Sequence, residues 1–206
     1  NPHWESASDM ILACENEFAL NKWSSQKYAP EVWIEKDALT GVIEGICQQL
    51  DVPFFACRGY NSQSEQWRAG QRFLTAIADG RIPIVFHLGD HDPSGLDMTR
   101  DNDERLDMFT GGVEVQRLAL NWDQINEYDP PPNPTKLTDS RANQYIAEYG
   151  ENSWELDALE PSVLVELIRD AVLDIRDDET WNDLVDVENS IKTTFRDFRI
   201  QLDERA

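Results

Sequence analysis

The sequence predicts an α/β fold: a parallel sheet of about four strands with helices on both faces, followed by a helical C-terminal extension. Three observations carry this. Short apolar, β-branched runs recur at 31–34, 52–57, 82–88 and 113–120. Stretches of helical apolar period separate them. The spacing matches right-handed crossovers, which join neighbouring strands in parallel.

The elements follow in order. Residues 1–30 form a lead-in segment, with a short amphipathic helix expected from Met10 to Leu20. Residues 31–128 form the core. Its first strand, Glu31 to Ile34, ends at Glu35, and a helix from Asp37 to Leu50 turns Leu39, Val42, Ile43, Ile46 and Leu50 to one side. Val52 to Cys57 is the second strand. Arg58-Gly59 turns the chain, and Ser62 or Ser64 caps a helix with Trp67, Phe73, Leu74 and Ile77 inward. Asp79-Gly80 ends that helix, and Ile82 to Leu88 is the third strand. A helix from about Leu96 to Phe109 stops at Gly111-Gly112, and Val113 to Leu120 is the fourth strand.

Residues 129–206 are the extension. The Pro-rich stretch Asp129 to Pro134 reads as a stiff connector. Thr138-Asp139-Ser140 caps a helix that runs to Tyr149-Gly150. Ser153 to Leu159 reads as a short last strand. Two helices follow, one opening at Pro161 and one from about Thr180 to Asp203. The apolar stripe of the last helix suits packing across the domain or a homodimer.

Composition limits the function. Hydrophobic residues make up 40% of the 206, with seven Trp, so the chain is globular. No apolar run is long enough for a membrane span, and no signal peptide is visible. Cys14, Cys47 and Cys57 lie in apolar patterns without zinc spacing and read as buried reduced thiols, as in a cytoplasmic protein. The chain does not begin with Met and reads as part of a longer protein. Forty acidic residues face 18 basic ones, five of them Lys, for a net charge of −22. Such a surface repels phosphate. Autonomous binding to nucleic acid is therefore expected to be weak.

The stretch His87 to Gly95, HLGDHDPSG, is the most informative. Asp90 and Asp92 stand at i and i+2 at a strand end, on one side of the chain. Two carboxylates so close repel unless a cation lies between them. A hard ion with oxygen ligands, Mg²⁺ or Mn²⁺, suits them. A turn capped by Asx side chains suits the same residues. Glu35 ends an earlier strand, and functional residues of open α/β sheets gather at carboxyl strand ends. Glu155 and Asp157 repeat the i, i+2 spacing and are candidates for a second metal site. Their alternative is an acidic edge strand. Lys36, Arg58, Lys136 and Arg141 are the candidate phosphate contacts. Asp37 and Asp97 read as first-turn helix acids. His91 alternates away from the metal side, as a packing residue.

A Glu ending the first strand, followed by Asp-x-Asp-Pro-x-Gly ending a later one, resembles the Toprim domain of topoisomerases, primases, OLD-type nucleases and small RNA-maturation nucleases. The form Asp90-His91-Asp92-Pro93-Ser94-Gly95 is most similar to the Toprim of type IIB topoisomerase A subunits. A further likeness is to phage and bacterial proteins carrying EVWIEKDAL, GDHDPSG and ELDAL together. The resemblance covers roughly Val32 to Leu120. It implies a Rossmann-like sheet, a divalent ion held by Asp90 and Asp92, and Glu35 as a further ligand or general acid/base in phosphodiester cleavage. A Tyr-bearing module precedes the Toprim in the nearest families. Nothing in this chain is long enough for one, and Tyr28 reads as a packing aromatic. Nuclease-like strand processing is therefore expected, within a larger protein whose upstream domain or partner brings nucleic acid in. The alternatives are a topoisomerase-type Toprim lacking its Tyr module and a non-catalytic scaffold for a protein partner.

Overall fold

The computed structural model describes residues 3–57 and 63–204. Its contacts fall into two units, Asn1–Gln26 with Asp177–Ala206, and Lys27–Arg176. These boundaries differ from those expected at residues 30 and 128. The lead-in belongs with the last helix, and residues 129–176 belong with the sheet.

Helix α1 (Ala7–Glu17) is in the first unit. In the second unit the sheet comprises β1 (Tyr28–Ile34), β2 (Phe54–Ala56), β3 (Ile82–Leu88) and β4 (Glu114–Ala119), all parallel in the order β2-β1-β3-β4. The α/β fold with a parallel four-stranded sheet is thus as the sequence predicts. Between the strands run α2 (Thr40–Gln49), α3 (Gln63–Ala78) and α4 (Pro93–Thr110). After β4 come α5 (Trp122–Tyr128), the two-residue strand β5 (Asn133–Pro134), α6 (Ala142–Tyr149), its antiparallel partner β6 (Asn152–Ser153) and α7 (Pro161–Asp174).

Trp33 and Val85 share a core with Ala69 and Phe73 of α3, Met98 and Leu106 of α4, and Val113. Alternation sends Val32, Ile34, Ile84 and Phe86 to the opposite face. On that side α2 packs on α7, and Ile43, Ile46, Leu164 and Ile168 are buried. None of the described helices is long and apolar enough to cross a membrane.

Helix α3 buries Gln66, Ala69, Phe73 and Ala76. The expected inward residues Trp67, Leu74 and Ile77 are exposed, Trp67 by 52%. At Gly70 α3 comes close to α4, where a Cβ would stand 3.1 Å from that of Phe109, and the buried stripe runs through Gln66, Ala69, Phe73 and Ala76. Helix α3 opens at Gln63, so Ser64 lies inside it. Ser62 lies outside the described residues, with Arg58 and Gly59. Helix α5, between β4 and the Pro-rich stretch, is an element that hydrophobic period did not reveal. Its start is marked by Asn121, whose N–H donates to Gln124 Oε1 at 2.9 Å. The expected strand at 153–159 is also shorter than predicted. Only Asn152–Ser153 pairs with β5, Trp154 forms one bridge to His91, and a 3-10 turn takes Leu156–Ala158.

In the first unit, α1 packs against α8 (Asp178–Asp203), and Phe18, just past the end of α1, meets Phe195 with ring centroids 5.7 Å apart. Trp23 meets Trp181 edge-on at 5.4 Å. Cys14 is exposed, contrary to the expectation of three buried thiols, because α1 turns Glu15 inward to pair with Arg196. Cys47 and Cys57 are buried.

Candidate functional site

Strands β1 and β3 are hydrogen-bonded neighbours, and their carboxyl ends deliver the acids. The ladder continues past both ends, with Glu35 N–H donating to Leu88 O at 2.8 Å. Glu35 Oε2 then accepts the Asp90 N–H at 2.9 Å. Gly89 makes this approach possible, because a Cβ there would stand 2.8 Å from Glu35 Oε2. Asp92 caps α4, its Oδ1 accepting from Gly95 N–H at 2.6 Å, with Pro93 in the first turn. The capped turn and the paired acids are therefore the same residues. Gly95 is obligatory: a Cβ there would lie 2.2 Å from the carbonyl oxygen of Asp90.

Arg117, on β4, holds this loop from beneath. Its guanidinium donates to Gly89 O at 3.0 Å, Asp90 O at 2.5 Å and Gly95 O at 3.0 Å. It also donates to Leu120 O at 3.2 Å and Thr99 Oγ1 at 2.6 Å. Burial pulls it down to about 10, so it remains a cation at neutral pH. No motif marks Arg117 in the sequence, but its strand position does. It shares its strand face with Val113 and Val115, which pack in the core, and an Arg on a core face needs buried partners. His87, fully buried, meets Thr99 Oγ1 at 2.9 Å through Nδ1, and burial pushes it down to about 3.

A second group of acids joins the first through Lys36. Leu156 N–H donates to Asp90 Oδ1 at 2.7 Å. Lys36 Nζ stands 2.5 Å from Glu155 Oε2, 2.8 Å from Asp157 Oδ1 and 3.4 Å from Asp90 Oδ1. Against the cost of burial, hydrogen bonds to Asp157 and Glu155 hold this ammonium above its ordinary range. Glu155, just before the 3-10 turn, and Asp157, within it, thus both face Lys36. The bridge between His91 and Trp154 anchors that turn, with N–H···O distances of 2.8 and 3.0 Å. His91 is buried among Trp122, Tyr145, Tyr149 and Trp154, with Nδ1 2.8 Å from Tyr145 Oη, so it packs as expected.

Glu35, Asp90 and Asp92 line one cleft of about 450 Å³ with Ser94, Lys136, Thr138 and Asp139. Burial, and then the charges of Asp90 and Asp92, push the Glu35 carboxyl up to about 7, with the Asp90 N–H and Arg117 opposing. Burial also raises Asp90, opposed by the Leu156 N–H and Lys36.

The four phosphate candidates separate. Lys136 is exposed on the cleft wall. Lys36 is held by three acids. Arg141 is bound by Asp139, at 2.8 Å through both Nε and Nη2, and by Asp97. Arg58 lies outside the described residues. Asp97 also pairs with Arg100 at 2.6 Å, and Asp37 opens the 3-10 turn before α2. Among the described residues no three His, Cys, Asp or Glu side chains stand together as a ready metal shell. The donor set fits a hard divalent ion all the same, since three carboxylates line one cleft and supply the oxygen ligands that such an ion takes.

No family model, curated protein or solved structure matches this chain.

Proposed function

We propose that the cleft holds Mg²⁺ or Mn²⁺ and serves phosphodiester cleavage in nucleic acid, as a Toprim-type site within a larger protein. The observation that carries this reading is the meeting of Glu35, Asp90 and Asp92 in one cleft at the carboxyl ends of two neighbouring parallel strands.

Asp90 and Asp92 would hold the ion, with Glu35 as a further ligand or proton carrier. When bound, the ion offsets the negative charge that builds on the phosphate oxygens during cleavage. Without an ion, burial and the neighbouring acids raise the Glu35 carboxyl, and beside a bound ion this residue would carry a proton to or from the reacting oxygen. Lys136, which also lines the cleft, suits a flanking phosphate. Arg117 keeps the loop from Gly89 to Gly95 in one geometry. The net charge of −22 makes the chain a poor binder by itself, so a basic upstream region or a partner delivers the strand.

One observation favours a second reading, a non-catalytic scaffold: Lys36 already neutralises part of the acidic cluster. Incubation of single- and double-stranded oligonucleotides with the chain at high concentration distinguishes the two. The enzyme reading expects slow cleavage that needs Mn²⁺ or Mg²⁺ and is lost in Glu35→Gln. Cleavage that persists in EDTA or in Glu35→Gln contradicts it.

A further inference from the structure

The acids at the sheet end form two sets that share Asp90. Glu35, Asp90 and Asp92 line the cleft. Asp90, Glu155 and Asp157 surround the ammonium of Lys36. Two cation positions bridged by one shared carboxylate is the layout of a two-metal site. Here the outer position is filled by a side chain of the protein.

We propose that Lys36 is the second cation of this site, so that the site takes one divalent ion and not two; this rests on the reading of the cleft as a metal site. Three arguments support it. An ammonium has three N–H donors, and three carboxylates meet it. The N···O distances of 2.5 and 2.8 Å are those of hydrogen bonds and that of 3.4 Å is that of an ion pair, so the ammonium occupies the space among these carboxylates. The arrangement is also anchored from outside. Leu156 N–H fixes Asp90 Oδ1, and the bridge between His91 and Trp154 fixes the turn that carries Glu155 and Asp157. A lysine so held cannot also clamp a substrate phosphate without releasing those acids. Lys36 is thus a positioning residue: it acts on the cleft through Asp90.

A divalent ion would bring two charges to the outer position, whereas Lys36 brings one that no chelator removes. Replacing the ammonium with a neutral side chain leaves three carboxylates around a vacated cation position. That is the condition under which a second divalent ion binds.

Calorimetric titration of Mn²⁺ into the full chain, at low ionic strength, tests this. The wild type is expected to bind one ion per chain. Lys36→Met is expected to bind two, and Lys36→Met with Glu155→Gln and Asp157→Asn to return to one. Two ions in the wild type, or no gain in a folded Lys36→Met, overturn the proposal. If the wild type binds none while Lys36→Met gains one that Glu155→Gln and Asp157→Asn remove, the role of Lys36 stands and the metal reading of the cleft falls. If Lys36→Met does not fold, electron paramagnetic resonance of wild-type chain in excess Mn²⁺ decides without a variant. Spin-coupled Mn²⁺ pairs contradict the proposal, and isolated ions at one per chain support it.

Discussion

Leu156 donates its backbone N–H to Asp90 Oδ1 at 2.7 Å, across 66 residues of chain. The bond makes the turn after β6 part of the loop after β3. The candidate site therefore depends on residues 129–176 as well as on the sheet.

Gly89 and Gly95 separate activity from folding. At Gly95 the obstacle is the Asp90 carbonyl, which is backbone and cannot move aside. Gly95→Ala is expected to destabilise by roughly 3 kcal/mol, at the upper end of overpacking costs. At Gly89 the nearest atom is the far end of Glu35. Gly89→Ala, which also meets the buried His87 ring at 3.1 Å, is expected to cost about 1–2 kcal/mol in urea melts, while displacing Glu35 and lowering any metal-dependent cleavage.

Arg117→Met removes the donors to the Gly89, Asp90, Gly95 and Leu120 carbonyls together. Gly89 O keeps the Leu120 N–H and Gly95 O keeps the Thr99 hydroxyl, so the loss falls mainly on the Asp90 and Leu120 carbonyls, at about 1–3 kcal/mol for each buried acceptor left without a partner. A loss of roughly 2–5 kcal/mol in denaturant melts is expected. A loss below about 1 kcal/mol would show that water replaces the guanidinium easily, and that the loop does not depend on it.

Much of this arrangement is legible in the sequence. The strands, the crossover helices and the acids at positions 35, 90 and 92 follow from apolar period and from Gly and Pro placement. Arg117 escaped because its cationic type suggests a surface, and only the strand face that it shares with Val113 and Val115 reveals otherwise. The pairing of Lys36 with Glu155 and Asp157 escaped for a different reason. It joins residues 119 and 121 positions apart, and no local pattern specifies it. Trp67, Leu74 and Ile77 have the size and hydrophobicity of core residues, whereas the face that α3 buries runs through Gln66, Ala69, Phe73 and Ala76.

The pH dependence of stability follows from Glu35. Its carboxyl is raised from 4.5 to about 7 in the folded chain, so the folded state holds that proton more tightly than the unfolded one. Stability from this group is full below about 4.5 and declines as pH rises through about 7. Glu35→Gln keeps an oxygen for the Asp90 N–H and cannot ionise. In EDTA it is expected to match wild type near pH 4 and to exceed it at pH 8 by roughly 1–3 kcal/mol. Equal stability of the two at pH 8 would mean that Glu35 is not strained by its neighbours.

The most direct measurement of the central claim is a pair of thermal melts at matched ionic strength, one in millimolar Mg²⁺ or Mn²⁺ and one in EDTA. An ion that binds only the folded form stabilises it by about 2.7 kcal/mol at 100 times its dissociation constant. For a chain of this length that raises the melting temperature by roughly 5–10 °C. Asp90→Asn with Asp92→Asn, in which the amide at position 92 retains the helix cap, is expected to show no response to the ions. A wild type that melts at the same temperature with and without both ions contradicts the metal site.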